Sequence, residues 1–283
     1  TSGESSKGRI SKFGSWAKIS SYSYAGELVF MSNETAHTKT KVGVFDSGIG
    51  GFSVLKELRD NTTADVLYFG DCARAPYGNR TTDEIVLFIK EIIHNLKAQD
   101  VTHFVSACNS MSVMTTDRVL AECGIEQGRY VDVLRAFKNY ATFNEGSRVL
   151  VLGTHATIAS GAYQEVLRDK NVEVEEYAYK ALAGAIEKEA DEQDLYELVL
   201  MSIIYAREKK VTHILYGCTH YPLVDAIFRR CAKDFEWEVT FVDPAVYVGK
   251  AVNIWGLEGE KSTVFEASEV TDAFKKLSNK YAI

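Results

Sequence analysis

The chain has 283 residues, 46% of them apolar, with a formal net charge of −7. That length supports two ordinary domains with cores of their own. The acidic balance lacks the basic footprint of a nucleic-acid binder, and no apolar run nears the roughly 18 residues that a membrane helix needs. Neither nucleic acid nor membrane is therefore an expected partner.

Residues 1–40 stand apart, with nine serines, five Lys or Arg and three Glu, so they carry about +2 against about −9 for the rest. They read as a leader or disordered extension, with Met31 a candidate native start. From residue 41 the pattern alternates between strand and helix. Apolar runs at 42–45, 66–69, 103–107, 149–152, 211–216 and 239–242 are rich in Val, Ile, Phe and Tyr and read as buried parallel strands. Amphipathic stretches at 51–59, 82–98, 111–122, 158–169, 193–208, 223–234 and 266–280 read as the helices between them. This alternation predicts an α/β architecture with right-handed crossovers. The three prolines, Pro76, Pro222 and Pro244, lie in Ala75-Pro76-Tyr77-Gly78, His220-Tyr221-Pro222-Leu223 and Val242-Asp243-Pro244-Ala245. They suit rigid loops, and serve equally well as turns or helix starts.

One phrase occurs twice. Val101-Thr102-His103-Phe104-Val105-Ser106-Ala107-Cys108-Asn109-Ser110 returns as Val211-Thr212-His213-Ile214-Leu215-Tyr216-Gly217-Cys218-Thr219-His220. A fainter echo links Lys41-Val42-Gly43-Val44-Phe45-Asp46-Ser47 to Arg148-Val149-Leu150-Val151-Leu152-Gly153-Thr154. Two related α/β halves are implied, each ending one strand in a cysteine. In open α/β sheets ligands sit beyond the carboxyl ends of the strands, where Asp46, Cys108, Thr154 and Cys218 fall.

The five cysteines, Cys72, Cys108, Cys123, Cys218 and Cys231, are odd in number, widely spaced and without a C-x-x-C pair. They read as free thiols in a reducing compartment, and the expected location is cytoplasmic. A buried cysteine is usually core, which suffices for Cys72, Cys123 and Cys231. Cys108 and Cys218 occupy matched positions, and two thiols facing one carbon from opposite sides suit moving a proton off one face and onto the other. A thiol serves as both base and acid near neutrality when its surroundings tune it. Donors aimed at a substrate carboxylate must then stabilise the carbanion, and Ser47, Asn109, Ser110, Thr154, Thr157 and Thr219 supply hydroxyls or amides. Asp46-Ser47-Gly48-Ile49-Gly50-Gly51 follows a strand and opens a helix, which suits a small carboxylate. It matches no dinucleotide fingerprint. A zinc site from Cys108, Cys218 and His220 is the competing use, but these residues lack the tight ligand spacing of structural zinc. His103 and His213 lie inside strand runs that aim them elsewhere. No G-x-S-x-G elbow marks a serine hydrolase.

Val44-Phe45-Asp46-Ser47-Gly48-Ile49-Gly50-Gly51, Tyr68-Phe69-Gly70-Asp71, Pro76-Tyr77-Gly78, Ala107-Cys108-Asn109, Gly153-Thr154 with Thr157, and Gly217-Cys218-Thr219-His220-Tyr221-Pro222-Leu223 together resemble the glutamate racemases of the aspartate/glutamate racemase superfamily. The motifs run in the family's order across about 42–283. The resemblance implies two similar doubly wound domains related by a pseudo-twofold, with the active site in the cleft between them. The expected division is 41–133 plus 246–283 for the first domain and 134–245 for the second.

It also implies a cofactor-independent two-base racemase acting on glutamate, whose D-enantiomer feeds peptidoglycan synthesis. The expected partners are that small-molecule substrate and a second copy of the chain in a homodimer. Carried over by position, Cys108 and Cys218 are the paired acid and base, with Asp46 on the Cys108 side and His220 on the Cys218 side. Asp46, Ser47, Pro76, Tyr77, Gly78, Asn109, Ser110, Thr154, Thr157, Thr219 and His220 match substrate-holding positions. Glu187 is the nearest match to the family's acidic residue in the second half. Ser110 stands where threonine is usual. Tyr130-Val131-Asp132-Val133-Leu134-Arg135-Ala136 replaces the family's apolar junction run, where Arg135 is expected to alter hinge or oligomer contacts. An aspartate racemase with the same thiol pair is the alternative; a single-thiol decarboxylase or a non-catalytic amino-acid binder fits the paired cysteines less well.

Overall fold

The computed structural model describes residues 17–18 and 41–281. Apart from residues 17–18, the expected leader at 1–40 lies outside the described residues. Among the described residues ten strands form two sheets: β1 Ala17–Lys18, β2 Lys41–Asp46, β3 Asp65–Gly70, β4 Val101–Ser106, β5 Tyr130–Asp132, β6 Arg148–Gly153, β7 Glu173–Ala178, β8 His213–Gly217, β9 Thr240–Val242 and β10 Thr263–Ala267. The first sheet runs β1-β10-β3-β2-β4-β5 and the second β7-β6-β8-β9. All pairings are parallel except that of β1 with β10. The order β3-β2-β4-β5 is thus repeated as β7-β6-β8-β9. The doubled phrase falls on β4 and β8, each beside the strand that carries the fainter echo.

Among the described residues, strand alternation divides the interior into three cores. Val42, Val44, Val66, Tyr68 and Val105 of the first sheet share one cluster with Leu150, Leu152, Ile214 and Tyr216 of the second. The intervening Phe45, Leu67, Phe69 and Phe104 face a second cluster, and Val149, Val151 and Leu215 a third. Each sheet is therefore covered on both faces, as parallel strands require, and the two sheets share a core. Helix Ala245–Asn253 packs against both Phe52–Asn61 and Val133–Tyr140 and so joins the halves.

Several elements depart from the sequence reading. The stretch 111–122 is two helices, Asn109–Ser112 and Asp117–Glu122, the second capped by Thr116 accepting from the Val119 N–H. The stretch 266–280 begins in strand β10 and becomes helical only over Asp272–Tyr281. Helices Val133–Tyr140, Lys180–Glu187 and Ala245–Asn253 were not foreseen. Arg135 is held within its own chain by Asp132 (2.5 Å) and Asp117 (3.0 Å). His103 and His213 sit alike near the starts of β4 and β8, each with Nδ1 on the preceding threonine hydroxyl.

Candidate active site

The site is assembled where four strands end. β2 ends in Asp46, which is fully buried. Its Oδ1 accepts from the Gly48 N–H (2.8 Å), which folds the Gly-rich turn back on the strand. Its Oδ2 accepts from the Thr219 hydroxyl of the second half (3.1 Å). Burial raises the Asp46 carboxyl above its usual value against the lowering effect of the His220 charge.

β4 leads through Ala107 to Cys108, the residue before the short helix Asn109–Ser112. Its Sγ lies 3.5 Å from Ser47 Oγ. Burial, reinforced by the negative charge of Asp46, pushes the Cys108 thiol up to about 12, although bonds from Ser47 and the Met111 backbone oppose the shift. Ser110, two residues on, bonds Thr154 at 3.0 Å.

β8 ends before Cys218, whose Sγ lies 3.7 Å from His220 Nδ1. His220 Nε2 lies 2.5 Å from Glu187 Oε2, at the end of helix Lys180–Glu187. Burial opposes a charge on His220, but hydrogen bonds and the charges of Cys218 and Glu187 outweigh it and hold the imidazole well above its ordinary value. The two cysteines therefore lie in opposite settings: one beside a carboxylate, the other beside an imidazolium. They are near enough that Cys218 contributes to the shift at Cys108. Their side chains rest against different cores, Cys108 on the outer core of the first sheet and Cys218 on the shared one.

β6 leads into Thr154, whose hydroxyl accepts from the Thr157 N–H (3.3 Å) and bonds the Thr157 hydroxyl (3.1 Å). Gly78 abuts Thr154 so closely that a Cβ there would lie 2.5 Å from the Thr154 Cβ. Pro76 precedes the turn Tyr77–Asn79. The Tyr77 phenol donates to Asp71, which Arg74 also holds at 2.5 Å, and the loop meets the site at Gly78.

Asp46, Ser47, Cys108, Asn109, Ser110, Thr154, Thr157, Cys218, Thr219 and His220 thus meet along one seam between the halves, together with Gly78 and Glu187. The sequence reading gave no role to Tyr163, which bonds Asn109, or to Ser53, whose hydroxyl bonds the Gly50 and Thr219 carbonyls. No motif marks either one, since the contacts to Asn109 and Thr219 span 54 and 166 residues. A cavity of about 620 Å³ lies behind the seam, lined by Ile49, Ile186, Pro222 and helix Asp272–Tyr281, but neither cysteine lines it.

A family model described as Asp/Glu/Hydantoin racemase matches residues 50–248. The chain belongs to this family. A glutamate racemase of Trichodesmium erythraeum is 34% identical over 256 residues, covering 86% of this chain and 92% of that one. A glutamate racemase of Aquifex aeolicus is 34% identical over 218 residues, covering 75% and 82%. Among solved structures, glutamate racemase from Francisella tularensis in complex with D-glutamate matches at a TM-score of 0.74 and 25% identity, over 87% of this chain and 94% of that one. An aspartate racemase of Picrophilus torridus shares the fold, at 17% identity and a TM-score of 0.55.

Proposed function

We propose that the chain interconverts L- and D-glutamate by moving the α-proton between Cys108 and Cys218, with no cofactor. The observation that carries this reading is the pair of matched strand-end thiols in opposite electrostatic settings. Cys218, beside the charged His220, takes the α-proton as thiolate. Cys108, held protonated by burial and Asp46, gives its proton to the opposite face of the same carbon. The exchange leaves Cys218 a thiol and Cys108 a thiolate, ready for the reverse reaction. Glu187 keeps His220 charged and oriented. An α-proton is far less acidic than a thiol, so the carbanion needs donors at the substrate carboxylate in a site closed to water. Ser47, Asn109, Ser110, Thr154 and Thr157 supply them; the Thr219 hydroxyl proton is spent on Asp46.

Proton exchange in D2O tests the reading. Incubated separately with L-glutamate and L-aspartate, the protein is expected to place deuterium at the α-carbon of glutamate and to release D-glutamate. Deuterium in aspartate alone would replace the substrate; deuterium in neither would end the proposal.

The same reading takes 41–133 plus 246–283 and 134–245 as the two domains, supported by β10 joining the first sheet. It also takes the protein as a cytoplasmic homodimer whose D-glutamate supplies peptidoglycan synthesis. Among the described residues no helix is long and apolar enough to cross a membrane.

A further inference from the structure

The residue after each cysteine is held by a group from the opposite half. Thr219 donates its hydroxyl to Asp46. Asn109 accepts, at 2.5 Å on Oδ1, the phenol proton of Tyr163 from helix Ala162–Arg168. Tyr163 is 1% exposed and Asn109 2% exposed. The Tyr163 ring is fixed edge-on against Phe137, with centroids 5.4 Å apart. The Asn109 amide nitrogen is buried and has no hydrogen-bond partner among the described residues.

We propose that Tyr163 is a positioning residue that sets the orientation of the Asn109 amide, so that its NH2 group faces the substrate's α-carboxylate. An amide has two faces of opposite character, two donors on nitrogen and an acceptor oxygen, and either can be turned to a ligand. The phenol chooses between them. Were the amide turned over, the buried phenol proton would lose its acceptor, an arrangement that folded proteins avoid. With Oδ1 occupied, the amide nitrogen of the residue that follows Cys108 keeps its donors unspent. A carboxylate offers only acceptors and completes that group, whereas an ammonium would meet it donor to donor. The corresponding position in the second half works by the same logic with the chemistry reversed, since the Asp46 carboxylate uses the Thr219 proton and leaves that hydroxyl's lone pairs free.

This inference rests on the glutamate reading, and the Tyr163→Phe variant separates the two. Phenylalanine keeps the ring and its packing and removes only the phenol. Loss of one aligned hydrogen bond to a charged ligand predicts a KM for both glutamate enantiomers about tenfold higher, with kcat within about threefold. The melting temperature is expected to stay close to that of the parent. In an Asn109→Ala background, Tyr163→Phe is expected to change KM by less than about twofold, because its route to the substrate has gone. An unchanged KM in Tyr163→Phe would overturn the proposal, as would an equal factor in both backgrounds, which marks a purely structural role. Calorimetric binding of L-glutamate gives the same comparison without turnover, so a parent protein that binds but does not exchange protons sinks the racemase reading and still decides the role of Tyr163.

Discussion

Cys108 and Cys218 end matched strands, and what separates them is the company each keeps. Burial, reinforced by Asp46, makes Cys108 a reluctant thiolate, while His220 is a cation at Cys218. Both are 4% exposed, so reactivity differences report charge rather than access. Alkylation by iodoacetamide at pH 8, mapped by mass spectrometry, is expected to modify Cys218 at least about tenfold faster than Cys108, with Asp46→Asn narrowing the gap. Equal rates would remove the assigned asymmetry. The raised thiol has a second consequence. The folded chain keeps the Cys108 proton to about 12, whereas the unfolded chain releases it near 9. Stability is therefore lost as pH rises through that window, and Cys108→Ser should lose less of it there than the parent. Each serine variant is expected to abolish racemisation but to keep α-proton exchange of the one enantiomer whose hydrogen faces the remaining thiol. NMR in D2O reads this, and equal loss for both enantiomers would contradict the two-base assignment. The doubled phrase exposed both cysteines in the sequence. Tyr163 stayed hidden because its contact joins residues 54 apart with no shared pattern.

The strand ends do their work because glycines let the halves close on one another. A Cβ on Gly50 would lie 2.6 Å from Thr219 Oγ1 and 2.7 Å from His220 Nδ1, and one on Gly48 would meet Glu187 at 2.6 Å. Gly50→Ala must therefore displace groups that hold Asp46 and Cys218 in place. Misplacing such groups by about 1 Å costs on the order of a hundredfold in rate. Steady-state kinetics should show at least that loss with the fold retained, and parent-like turnover would show that the seam is looser than described. Buried strands such as β2 and β3 were legible because both faces are apolar, giving unbroken runs. Strand β7, Glu173–Ala178, escaped because it is a half-exposed edge whose charged residues interrupt the run. Helix Val133–Tyr140 is set by its cap, since buried Asp132 accepts from the Arg135 N–H at 2.7 Å. Arg135→Ala leaves that carboxylate without its cation and should cost about 2–3 kcal/mol in chemical denaturation. Asp132→Asn in the same background should recover part of the loss, because the amide keeps the cap and carries no charge; no recovery would point to lost Arg135 packing instead.

At the scale of the whole molecule, the repeat gives two sheets with the same strand order, but it does not say what keeps them in register. Helix Ala245–Asn253 does, wedged between Phe52–Asn61 of one half and Val133–Tyr140 of the other. Its close approach depends on Gly249, where a Cβ would lie 2.5 Å from Asn61 Nδ2 and 2.9 Å from the Glu57 carbonyl oxygen. The asparagine is not free to swing aside, since it donates to that same carbonyl at 2.7 Å, and the backbone oxygen moves only with its helix. A larger residue must therefore push Phe52–Asn61 away. That helix begins directly after the Gly-rich turn, so the displacement reaches the site. Gly249→Val is expected to lose about 1–3 kcal/mol of stability, the usual penalty for overpacking. It should alter KM and kcat together, as changes at an inter-domain joint do. Lys250→Ala, exposed on the same helix, should leave stability and kinetics as they are. If Gly249→Val also behaved as the parent does in denaturation and turnover, this helix would not be what fixes the two halves, and the register of Cys108 against Cys218 would have to come from the seam alone.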